Sequence, residues 1–178
     1  MTQDNAGALE IRVSAGRGIG LTRLSAFDAA LRDAGVADFN LVRLSSVIPP
    51  GGIISEVPGG EQIQGRTGDI LHCVYADSYA STPGEEAWAG VAWAQRPEDG
   101  PEIAARPDLA GSGVFVEHSA ISQALVERDL RASLADLTRN RIGEFPRRGR
   151  LLSSARCVDH PVCALVIASY STQSWNQG

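Results

Sequence analysis

Asn40-Leu-Val-Arg-Leu-Ser-Ser-Val-Ile-Pro-Pro-Gly51 is the stretch on which the interpretation of this chain turns. Its apolar residues predict a strand over residues 39–47, and Pro49-Pro50-Gly51-Gly52 ends it, because proline cannot donate to a hydrogen-bonded ladder. Two consecutive serines, Ser45 and Ser46, interrupt the pattern. A serine pair is ordinary by itself, and the chain has another at Ser153-Ser154. What surrounds Ser45-Ser46 therefore decides its meaning.

Upstream, residues 8–14 alternate in polarity, with Leu9, Ile11 and Val13 on one face, as a half-buried strand does. Ala15-Gly-Arg-Gly-Ile-Gly20 follows. It lacks the spacing and the later acidic residue of a dinucleotide fingerprint, and it reads as a turn needing positive φ. Ser25 is placed to cap a helix over 26–34 with Phe27, Ala30, Leu31 and Ala34 on its apolar face, and Gly35 stops it. Downstream, residues 70–81 and 87–95 read as strands around the tight-turn signal Thr82-Pro83-Gly84. Residues 96–113 read as a polar loop, 113–119 as a strand and 122–139 as an amphipathic helix carrying Leu125, Val126, Leu130, Leu134 and Leu137. Residues 162–170 form a buried closing strand. Mixed elements without a regular βαβ repeat predict a single α+β domain over 1–178, a layered sandwich rather than a doubly wound sheet.

Composition narrows the function. The 16 basic residues are all arginine, so the chain holds no lysine for a Schiff base to pyridoxal phosphate or for a phosphate-binding loop. A net charge of -5 argues against a nucleic-acid surface, and the basic run at 139–150 is broken by Glu144 and Pro146. Cys73, Cys157 and Cys163 have neither paired spacing nor a histidine cluster, so no metal site is expected and they read as core residues of a cytoplasmic protein. The start of the chain lacks the pattern of a signal peptide, and no apolar stretch is long enough to cross a membrane.

The stretch 40–51, the preceding Leu24-Ser-Ala-Phe-Asp-Ala-Ala-Leu-Arg-Asp-Ala-Gly35 and the later Gly113-Val-Phe-Val-Glu-His118 together resemble the pyruvoyl-dependent arginine decarboxylase family. The resemblance runs from about Ile11 to Tyr170 and is weakest over residues 53–69 and 96–113. It implies an αββα sandwich made as a proenzyme that cuts itself between Ser45 and Ser46. The products would be a β chain, 1–45, and an α chain, 46–178, that begins with a pyruvoyl group derived from Ser46. It further implies a homotrimer with sites between subunits, and the conversion of L-arginine to agmatine and carbon dioxide. The same chemistry on another amino acid, or an uncut homologue serving as an oligomeric binding protein, are the alternatives.

The residue types suit that chemistry. The Ser46 hydroxyl can attack the Ser45 carbonyl carbon, turning the peptide into an ester through an oxyanion that needs a donor. Asn40 matches the family position implicated in processing and is the expected donor. β-Elimination and hydrolysis then release ammonia and leave a ketone, which withdraws electrons as aldehyde cofactors do. Glu117 matches the family's proton donor, and its neighbours Val114, Phe115 and Val116 predict burial. Asp28 matches the aspartate that meets the basic end of the substrate, with Leu31 one turn on. His72, His118 and His160 are expected to be noncatalytic; His118 should face away from Glu117, its neighbour in a strand.

Overall fold

The structure, a computed structural model, describes residues 9–175. Two sheets and few helices make a mixed α+β domain, as the mixture of periodicities predicted. The chain runs β1 (Glu10–Ile19), α1 (Arg23–Asp33), β2 (Asn40–Arg43), β3 (Val47–Ile48), β4 (Ile53–Glu56), β5 (Ile70–Ala80) and β6 (Glu86–Gln95). It continues with α2 (Pro101–Ala105), a 3₁₀ turn (Pro107–Leu109), β7 (Gly113–Ala120), α3 (Gln123–Arg139), β8 (Arg147–Arg156) and β9 (Val162–Gln173). One sheet has the order β2-β5-β9-β1-β4, the other β3-β7-β6-β8. Both β1–β4 and β2–β5 are parallel; the remaining pairs are antiparallel.

Three apolar clusters hold these elements together. The largest lies between the sheets and joins Ile11 and Val13 of β1, Val74 of β5, Val91 and Trp93 of β6, Phe115 of β7 and Val166 and Tyr170 of β9. A second joins Ala26, Ala30 and Leu31 of α1 to Leu71, Cys73, Leu165 and Ile167 on the other face of the five-stranded sheet. The third joins Val126, Leu130 and Leu134 of α3 to Ala92, Val114 and Val116. Strand β9 is covered on both faces, which is why residues 162–170 are uninterruptedly buried. The fourfold spacing of Val126, Leu130, Leu134 and Thr138 gives α3 its buried stripe, and Ser122 caps it through the Leu125 amide.

Several expectations are corrected. The glycines at 16 and 18 lie inside β1 and neither has positive φ. They are needed because α1 lies directly on the strand: a Cβ at Gly18 would collide with the Ala26 carbonyl, and one at Gly16 with that of Ala30. The helix cap is Thr22, which forms a reciprocal capping box with Ser25. The expected strand 39–47 is two strands in different sheets, and β5 and β6 likewise part to different sheets after the turn at Gly84. Residues 96–113 contain α2 and the 3₁₀ turn, β4 falls within residues 53–69, for which no element is expected, and β8 begins in the last four residues of the basic run. Arginines suit β8 because it is an edge strand, where charge discourages further pairing. The expected strand start at residue 8 lies outside the described residues.

Candidate active site

The serine pair sits where the chain passes from one sheet to the other. The Leu44 amide still donates to Cys73 of β5 at 2.8 Å, whereas the Ser46 carbonyl already accepts from the Phe115 amide of β7 at 2.8 Å. Only Ser45 lies between the two ladders. The crossing is sharp enough to put Ser46 at φ 64, one of two non-glycine residues with positive φ among the described residues. That conformation costs an L-residue roughly 1–2 kcal/mol, and the surrounding hydrogen bonds must impose it.

The same crossing aims the Ser46 side chain. Its hydroxyl donates to Glu117 Oε1 at 2.7 Å in a half-buried setting. Glu117 lies two residues after Phe115 on β7, so both point between the sheets, while His118 turns the other way and bonds Ser133 of α3 at 2.8 Å. His118 thus faces away from Glu117, as alternation requires. Tyr170, which sequence reasoning placed in the closing strand but not in the site, donates its phenol to the Val47 carbonyl at 3.0 Å. Burial, then the nearby charge of Glu117, push that phenol well above its ordinary range, so it stays a donor. A short hydroxyl–carboxylate contact of this kind can orient the hydroxyl and accept its proton as it attacks.

The other expected site residues are not brought to this point within one chain. Asn40 begins β2, about 10 Å of strand before Arg43, and its side-chain amide donates to the Gly68 carbonyl at 2.7 Å. Asp28 is exposed on α1 and paired with Arg32 at 2.6 Å, one turn on. Leu31, read as a companion pocket residue, is buried beneath α1 in the helix–sheet cluster and acts there as a core residue. Its reach differs from that of Asp28 because three helical positions turn a side chain only partly around the axis, here enough to separate solvent from core.

Among the described residues no group of three or more His, Cys, Asp or Glu is placed to hold a metal ion. Cys73 and Cys163 are buried, and that burial pushes both thiols up to about 12. They are not nucleophiles near neutral pH. The group the residues do fit is one made from Ser46 itself: a strained backbone at 46, a hydroxyl adjoining the 45–46 peptide and a carboxylate in contact with it. No helix among the described residues is long and apolar enough to cross a membrane.

Comparison with known proteins gives a consistent result. The profile of the family described as pyruvoyl-dependent arginine decarboxylase matches residues 10–174. A protein of that name from Halobacterium salinarum is 43% identical over 86 residues, covering 48% of this chain and 52% of the relative. One from Nitrosopumilus maritimus is 40% identical over 93 residues, covering 52% and 49%. One from Methanothermobacter thermautotrophicus is 34% identical over 131 residues, covering 74% of each. The chain spans about half the length of the first two of these curated relatives.

Proposed function

The chain belongs to the pyruvoyl-dependent arginine decarboxylase family, and from that premise we propose that it cuts itself between Ser45 and Ser46 and decarboxylates L-arginine to agmatine. One observation carries the proposal: Ser46, held at φ 64 where the chain changes sheets, has its hydroxyl 2.7 Å from Glu117. Glu117 takes the hydroxyl proton as Oγ bonds to the Ser45 carbonyl carbon and returns it to the peptide nitrogen as the C–N bond breaks, leaving an ester and a free amine on residue 46. Loss of the Ser46 Cα proton then breaks the Cβ–Oγ bond, and Ser45 departs as a carboxylate. The dehydroalanine left at 46 tautomerises to an imine, water adds, and ammonia leaves a pyruvoyl ketone.

That ketone, once present, supplies the electron sink for loss of carbon dioxide from an amino acid bound through its amine. Glu117, facing residue 46 between the sheets, is the group that returns a proton to the substrate Cα. Phe115 and Tyr170, buried beside it, keep bulk water from that side of the site. Asp28 is the proposed partner of the guanidinium, a planar fork that a carboxylate meets bidentately. Because Asp28 lies on the solvent face of α1, it would meet a substrate at Ser46 from a neighbouring copy, in keeping with a homotrimer whose sites lie between subunits. The three stacked apolar clusters support an αββα sandwich that the cut divides into 1–45 and 46–178. A cytoplasmic location is part of the same proposal.

Intact mass and a denaturing gel of the purified protein test it directly. Two fragments, the larger with a blocked terminus at position 46, are expected. A single chain of full mass overturns the proposal.

A further inference from the structure

We propose that Tyr170 is a positioning residue for the cut and for the group it produces, its hydroxyl clamping the backbone just after Ser46 from the opposite sheet. The inference rests on the reading of Ser45-Ser46 as a self-cleavage site. Strand β3 is held weakly for a segment that must present a reacting residue: its ladder with β7 consists of Val47 opposite Val114 and Ile48 opposite Gly113. The Phe115 amide on the Ser46 carbonyl adds one bond from the same side. Tyr170 supplies the restraint from the other side, since β9 belongs to the five-stranded sheet and β3 to the four-stranded one.

The clamp is itself rigid. Tyr170 is 8% exposed, and its ring meets Phe115 edge-on with centroids 6.0 Å apart. Phe115 in turn meets Trp93 at 6.1 Å. The three rings bridge the two sheets, so the phenol has little freedom to leave the Val47 carbonyl. Before the cut, this bond helps to impose the left-handed backbone at Ser46. After it, residue 46 begins a new chain with nothing covalent on its amino side, and the bonds to the Ser46 and Val47 carbonyls are what hold it against Glu117.

Tyr170→Phe keeps the ring packing and removes the hydroxyl, whereas Tyr170→Leu removes both. The full-length precursor of each is isolated, and the first-order growth of the two fragments is followed beside the melting temperature. For the fully matured fraction, kcat and KM for arginine are then measured. Tyr170→Phe should melt close to the wild type but cleave roughly three- to tenfold more slowly, the loss expected for one neutral hydrogen bond. Its kcat should fall by a similar factor with KM unchanged. Tyr170→Leu should melt lower yet cleave within about twofold of Tyr170→Phe. Cleavage of Tyr170→Phe within twofold of the wild type overturns the proposal. So does a cleavage rate that simply tracks melting temperature across the variants, or a Tyr170→Phe chain that does not fold, since the hydroxyl would then serve the fold and not the site. A wild-type chain that stays whole refutes the underlying self-cleavage instead.

Discussion

Replacing Ser46 by alanine and by glycine separates the chemistry of that residue from its strain. Both variants lack the hydroxyl, so both should remain one uncut, inactive chain. Both also lose the bond to Glu117, so that loss cancels between them. What differs is the Cβ at φ 64. A left-handed conformation costs an L-residue roughly 1–2 kcal/mol, while glycine loses about 0.4–1 kcal/mol more chain entropy on folding than alanine. The balance favours Ser46→Gly by about 0.8 kcal/mol, which for a chain of this size raises the melting temperature by about 2–3 °C over Ser46→Ala. Calorimetry of the two uncut proteins measures it. An alanine variant as stable as the glycine variant would refute the claim that the sheet crossing stores strain at Ser46, and fragments from either variant would move the cut elsewhere.

Glu117→Gln should still be cut but more slowly, since an amide oxygen can orient the Ser46 hydroxyl but not take its proton, and in the matured fraction carbon dioxide release should fall about 10²- to 10⁴-fold; unchanged rates of both steps remove Glu117 from proton transfer. Asp28→Asn should leave the cut intact and raise the apparent KM for arginine more than tenfold while hardly changing stability, because its ion pair with Arg32 is exposed; equal use of arginine and uncharged citrulline by the wild type refutes the guanidinium role. Since the Cys73 and Cys163 thiols are pushed up to about 12, they ionise in the unfolded chain at a lower pH than in the folded one, so stability should be level below pH 9 and fall between about pH 9 and 12. Urea melts across that range, with iodoacetamide labelling of both thiols only after unfolding, check this. Gly18→Ala should destabilise by about 1–3 kcal/mol by forcing α1 off β1, and a melting temperature equal to the wild type's would show that the helix yields freely.

The long periodic elements were legible because burial on one face writes a period into the residues: α3 and strands β5, β6, β7 and β9 all fall where that signal is strong. Strand β8 was not, because an edge strand can carry Arg147, Arg148 and Arg150 and then looks like a solvated run. The glycines of β1 misled for a different reason: a missing side chain signals either a backbone turn or a close neighbour, and only the position of α1 distinguishes them. At the site, Ser46 and Glu117 could be paired through resemblance, 71 residues apart in the chain. Tyr170 carried no such signal, since a tyrosine ending an apolar strand looks the same whether or not its hydroxyl meets a carbonyl near the reaction. The Gly68 carbonyl that engages Asn40 lies 28 residues away in the chain, and no local pattern marks so distant a partner.

Strand β1 belongs to the front piece of the chain but lies between β4 and β9, both from the rear piece, in register with four residues of one and eight of the other. A cut at 45–46 therefore yields two polypeptides that share one sheet and cannot part without dismantling its middle. Before the cut, folding is a unimolecular search; afterwards, recovery from denaturation is a second-order encounter between strangers, slower the more dilute the solution. Such a cut would act as a ratchet, in which the intact precursor can be unfolded and rescued, while the cut protein depends on never having come apart.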